Sequence, residues 1–146
     1  MLKRISYISK FSRPLTRDEV NQLAADAEER NRSLGITGML MSSGGIFYQM
    51  LEGPIEAVDS LFQKIAADQR HTDVLVLSVQ EEIEDRLFPS WAMKKVNLDE
   101  EALSRLEPVK ALLEAIVVQR ESMQRLMRVL SRSVWQELMD DNQPRS

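Results

Sequence analysis

Residues 35 to 54 read GITGMLMSSGGIFYQMLEGP. Two apolar runs flank SSGG at 42–45, a pattern that predicts a β-hairpin. The second run, IFYQMLEGP from 46 to 54, has strand character but carries an uncharged amide, Gln49, at its centre. A buried amide without partners costs roughly 1–3 kcal/mol. Gln49 therefore needs either a neighbouring side chain or a bound ligand.

The flanking segments set the hairpin in a larger pattern. LKRISYIS (2–9) alternates, with Ile5, Tyr7 and Ser9 on one face and Arg4, Ser6 and Ile8 on the other, which predicts a strand. In PLTRDEV, Thr16 is a good N-cap, Glu19 completes a capping box, and Leu15 and Val20 form a hydrophobic staple. The helix they open places Val20, Leu23, Ala24 and Ala27 on one stripe, which continues onto Asn31. After the hairpin, Pro54 opens a second helix that buries Ile55, Val58, Leu61, Phe62 and Ile65. DVLVLSVQEEI (73–83) and WAMKKVNL (91–98) complete the set as strands, and the acidic run EEIED (81–85) reads as a solvated strand end. The order β-α-β-β-α-β-β, with both helices on one face of a mixed sheet, predicts an α+β ferredoxin-like sandwich. No internal repeat is present.

The composition changes near residue 99, which divides the chain into a domain at 1–98 and a C-terminal helical extension at 99–146. After Pro108 no Gly or Pro occurs until beyond Asn142. Val109, Ile116, Met123 and Leu130 recur every seven residues, and Leu113, Met127 and Val134 do so in a second register that Arg120 interrupts. This is a coiled-coil seam. One continuous helix would be about 50 Å long; the alternative is a break near Ser131–Ser133. The seam serves docking on the open face of the sheet, a homodimer through residues 108–139, or both in one protein.

Bulk properties exclude several functions. The 146 residues are 43% hydrophobic and 29% charged, an ordinary globular balance. A net charge of −4 and a pI near 5.1 oppose wholesale binding of nucleic acid or an anionic membrane. There is no cysteine, and the single histidine, His71, excludes a multi-histidine metal site within one chain. No apolar run has the length of a membrane span, and MLKRISYISKF lacks a signal-peptide core, so a cytoplasmic protein is expected. No nucleophile elbow, phosphate-cradling glycine loop or HExxH is present, and a catalytic role is not expected.

A few polar residues fall on faces expected to be buried. Gln49 shares a face with Phe47 and Leu51, and Tyr7 shares one with Ile5. Asn31 ends an apolar stripe with Arg30 beside it. Lys64, Asp68, Arg70 and His71 have the pattern of a solvated helix end. Together these residues stand where two helices would clamp a flat ligand against the sheet, with an apolar body and amides for orientation.

The motifs RISYIS, Asn-x-x-x-Gly-Ile-Thr-Gly (31–38), Gln-x-Leu-Glu-Gly (49–53), DQRHTDV and Trp-x-Met (91–93), in this order, resemble those of a BLUF domain, a blue-light receptor that uses flavin. The resemblance covers residues 1 to about 98. NLDEEALSRLEPVKALLEAI further resembles the linker and helix that follow BLUF domains in photoactivated adenylyl cyclases, here without a cyclase domain. It implies one non-covalent flavin, FAD by family habit, and a downstream protein partner or fused effector. It also implies that Tyr7 donates an electron and proton and that Gln49 relays the proton and returns rotated or tautomerised, with a red shift. Asn31, with Arg30 beside it, would meet the ring's pyrimidine side. Lys64, Asp68, Arg70 and His71 would contact or neighbour the ring edge and ribityl-phosphate chain. Trp91 and Met93 match a switch pair near Gln49 on the last strand. Ala92 stands between them where many members carry serine. The competing readings are an acylphosphatase-like enzyme or ligand-binding regulator on the same scaffold, and an RNA-binding sheet.

Overall fold

The computed structural model describes residues 1–43, 45–99 and 105–141. Gly44 of the SSGG turn and linker residues 100–104 lie outside them. The chain divides into two compact units, Met1–Ser104 and Arg105–Ser146.

The first unit runs β1 (Leu2–Phe11), α1 (Arg17–Leu34), β2 (Thr37–Ser43), β3 (Ile46–Pro54), α2 (Ile55–Ala67), β4 (His71–Ile83) and β5 (Lys94–Asn97). The five strands form one sheet in the order β4-β1-β3-β2-β5. β3 runs antiparallel to both β1 and β2, and β5 joins the far edge parallel to β2. This is the split β-α-β arrangement of a ferredoxin-like α+β sandwich.

Local chemistry explains the element ends. Thr16 Oγ1 accepts from the Glu19 N–H while the Glu19 carboxylate accepts from the Thr16 N–H, closing the capping box. α1 stops at Gly35, whose φ of 69° lies in the left-handed region that glycine tolerates. Three residues on, a Cβ on Gly38 would collide with the Met50 carbonyl oxygen. The glycines of Asn-x-x-x-Gly-Ile-Thr-Gly thus end a helix and let β2 close against β3.

The core lies between the sheet and the two helices. Ile5, Tyr7, Phe47 and Leu51 from the strands pack with Ala24, Ala27, Val58, Leu61 and Ile65 from the helices. Pairing of Tyr7 with Gln49 and of Ile5 with Leu51 places both central strands in register on this face. The opposite parity, Arg4 with Glu52, faces away.

Two expectations are corrected. The last strand is only Lys94–Asn97, so Trp91 and Met93 precede it. The Ala92 carbonyl accepts from Asn31 Nδ2 at 2.8 Å, and ladder pairing with β2 begins at Lys94. His71 is not at a helix end: α2 stops at Ala67, Asp68 is its C-cap, and His71 opens β4.

The second unit contains α3 (Glu107–Asp141), 35 residues without a break at Ser131–Ser133. Met123, Met127, Leu130 and Val134 of the seam are all more than half exposed. Among the described residues no helix is long and apolar enough to cross a membrane.

Candidate functional site

Between α1, α2 and the sheet lies a cleft of about 90 Å³. Its floor comes from β1 and β3 through Tyr7, Ser9, Phe47 and Gln49. Leu23, Ala27 and Arg30 of α1 line one wall, and Ile65, Asp68, Arg70 and His71 line the other side. A larger basin of about 680 Å³ shares Phe11 and Phe47 with it and carries Lys10, Arg13, Arg17 and Lys95 on its walls.

Tyr7 and Gln49 sit opposite each other on paired strands, 1% and 7% exposed. The Tyr7 hydroxyl donates to Gln49 Oε1. Gln49 Nε2 points at Met93 Sδ, 4.0 Å away. This orientation suits the chemistry, because a thioether accepts and never donates. Phe62 meets the Tyr7 ring edge-on at 5.4 Å between centroids. Burial pushes the Tyr7 phenol well above its ordinary pKa, with Arg30 acting weakly against it. The phenol therefore stays protonated at any physiological pH and keeps a proton to give.

Asn31 is fully buried on the last turns of α1. Arg30 Nη2 reaches its Oδ1 at 3.4 Å. Burial lowers the Arg30 pKa, the nearby phenol raises it and Arg70 lowers it. At the mouth, Asp68 and Arg70 form a bidentate pair, with Arg70 Nη2 2.7 Å from Asp68 Oδ2. That pair, and the Arg70 backbone N–H, hold the Asp68 carboxyl down at about 2. His71 Nδ1 lies 3.1 Å from Ser9 Oγ, and burial lowers the His71 pKa, which favours the neutral ring.

The structure thus gathers Tyr7, Arg30, Gln49, Asp68, Arg70 and His71 around one cleft. Met93 meets Gln49 from outside the lining, while Asn31 is not a lining residue and donates to the Ala92 carbonyl next to Met93. Two expected residues stand apart. Lys64 is exposed on α2 and is not among the lining residues. Trp91 is 43% exposed, stacks on Phe88 at 5.7 Å and lies under Lys94, so it points away from Gln49. Sequence reasoning left out Phe62, Asp26 and Ser9 as site residues. Ser9 was findable, because it shares the strand face of Tyr7.

The donor set suits a flavin ring. The cleft offers an apolar slot with Leu23, Ala27, Phe47 and Ile65 on its walls, the Gln49 amide and the Arg30 guanidinium. A tricyclic ring is larger than the slot, so its entry requires side chains at the mouth to turn or α1 and α2 to part. Among the described residues no cluster of acids and histidine is arranged to hold a metal.

A family model described as sensors of blue-light using FAD matches residues 2–94. Photoactivated adenylate cyclase subunit beta of Euglena longa is 35% identical over 116 residues, which is 79% of this chain and 13% of that protein. The structure of a bacterial light-regulated adenylyl cyclase superposes with a TM-score of 0.79 at 40% identity, covering 86% of this chain and 36% of that one. The dark-state structure of BlrB, a BLUF protein, gives 0.69 at 32% identity over 90% of this chain and 96% of that one. The chain belongs to the BLUF family of FAD-using blue-light sensors, and neither the acylphosphatase-like nor the RNA-binding alternative is favoured. It spans only about one eighth of the Euglena subunits it matches.

Proposed function

We propose that this chain senses blue light through the Tyr7–Gln49 hydrogen bond and passes the signal through Met93 to the segment before β5. The observation that carries the reading is the Tyr7 hydroxyl donating to Gln49 Oε1 while Nε2 faces Met93 Sδ. FAD, when bound, supplies light absorption and an excited-state electron acceptor. Arg30, Asn31, Gln49, Asp68, Arg70 and His71 hold it, and Lys64 is the weakest member of that expected set.

Tyr7 is the oxidisable side chain, and its hydroxyl proton already lies on a path to Gln49 Oε1. Once the phenol regains its electron and proton, Gln49 is left rotated or as the other tautomer. A rotated amide turns its oxygen toward Met93 Sδ, where neither atom can donate. Met93 is therefore the first neighbour displaced. A hydrogen-bond exchange changes the energy by only about 1 kcal/mol, so the output element must be nearly balanced between two states.

That output runs, in our reading, through α3 to a protein partner or a fused effector. The heptad seam supports a parallel homodimer through Val109, Leu113, Ile116 and Met123. A clean monomer in light scattering at micromolar protein would remove the dimer from this scheme. The role proposed is sensory rather than catalytic. The cytoplasm is the proposed compartment, from the composition reading alone.

Absorption of the purified protein before and after blue light tests the sensor. A structured flavin band that shifts to the red and recovers in darkness is the expected result. Tyr7→Phe should keep the flavin and lose the shift; a Tyr7→Phe protein with a normal photocycle would sink the mechanism.

A further inference from the structure

The connection from β4 to β5, residues 84–93, crosses from one edge of the sheet to the other. Beneath it lies Glu52, a carboxylate with no exposed surface. One oxygen accepts from Arg4 Nε at 2.6 Å and from the Leu87 N–H at 2.9 Å; the other accepts from the Phe88 N–H at 3.0 Å. Arg4 Nη2 also donates to the Asp85 carbonyl. From within the connection, Arg86 donates to Thr37 Oγ1 and to the Gly35 and Glu52 carbonyls. Residues 85 to 88 are thus each tied to β1, β2, β3 or the end of α1.

Four residues, 89–92, separate this clamp from Met93. Phe88 stacks on Trp91, the Trp91 carbonyl accepts from the Gly38 N–H at 2.9 Å, and Met93 Sδ meets Gln49. Glu52 is three residues from Gln49 on β3 but faces the other side of the sheet, so it takes no part in the flavin cleft. Well-packed apolar residues often stabilise a fold as well as a buried ion pair does. What a carboxylate adds is geometry, because two oxygens fix two successive backbone N–H groups.

We propose that Glu52, with Arg4 and Arg86, is a positioning device that fixes the 84–93 connection and thereby holds Met93 in register with Gln49. The proposal rests on the sensor reading above. The dark lifetime of the light state then depends on this clamp, although none of its residues touches the cleft.

The test uses the full chain with FAD and compares Glu52→Gln, Arg86→Met and Lys3→Met. Glu52→Gln sets an amide donor against a backbone donor, and Arg86→Met releases the other side of the connection. Lys3→Met breaks a different ionic cluster, with Asp59 and Glu81, whose side chains reach solvent, without touching residues 84–93. Dark recovery is expected to accelerate about threefold or more in the first two, a modest change in barrier, with flavin content and dark spectrum unchanged. Trp91 emission, read in a Trp135→Phe background, should change with them. Lys3→Met should recover at the wild-type rate. If Glu52→Gln fails to fold, Arg86→Met alone decides. Wild-type recovery in both clamp variants, or equal acceleration in Lys3→Met, overturns the clamp. A wild-type protein without any red shift overturns the sensor reading instead.

Discussion

Two buried polar pairs stand on opposite faces of the same two strands, and they differ in charge. Tyr7 and Gln49 are neutral, joined by one hydrogen bond, and back onto a soft thioether. Arg4 and Glu52 are an ion pair whose carboxylate is saturated by backbone and guanidinium donors. A neutral bond is worth about 1 kcal/mol net and exchanges readily. A buried ion pair is costly to break because its survivor is left charged and unsolvated. The first pair is built to rearrange, and the second to stay.

The largest effect should come from the pair that stays. Glu52→Ala takes the acceptor from Arg4 Nε and from two backbone N–H groups, and should cost about 3 kcal/mol in urea unfolding. A loss below about 1 kcal/mol would show that the two pairs do not differ in kind. Tyr7→Phe leaves Gln49 Oε1 without its donor and should cost about 1–3 kcal/mol, while the light-induced shift disappears. If stability fell but the shift remained, Gln49 would be relaying for another group. Thr16→Ala, remote from both pairs, should cost about 1 kcal/mol by loss of the cap and leave the photocycle untouched.

The smallest effect is electrostatic and lies at the mouth of the cleft. Asp68 titrates at about 2 in the folded protein against an ordinary 3.8, chiefly because of Arg70. Its folded value is depressed, so its contribution is present in full above about pH 4 and is lost as pH falls towards 2. The stability difference between wild type and Asp68→Asn should close over that interval. A difference that persists at pH 2 would mean that the Asp68–Arg70 pair is not its source.

Much of this was legible in the chain. The capping box of α1, the hairpin around Gln49 and the seven-residue period of α3 are local patterns, written within one or two turns of helix or one pair of strands. Tyr7 and Gln49 stood out because polar groups on apolar faces are expensive. Glu52 did not, since a carboxylate beside a glycine at a strand end reads as solvated until Arg4 and the 84–88 connection close over it. Trp91 differs in the opposite sense. The family resemblance matched it to a residue near Gln49 on the last strand, but Asn31 takes the Ala92 carbonyl, that strand starts at Lys94, and the Trp91 ring lies on Phe88 and under Lys94.

By itself, the sequence determined the order of the elements and marked Tyr7 and Gln49 as polar groups on apolar faces, because periodicity, capping and misplaced polarity act over short distances along the chain. Only the tertiary structure decided which residues share the cleft, that Trp91 lies outside it, and that Glu52 is buried. Those outcomes depend on crossings between strands more than 30 residues apart, where the partner of each donor is chosen by the packing of the sheet and not by its neighbours in sequence.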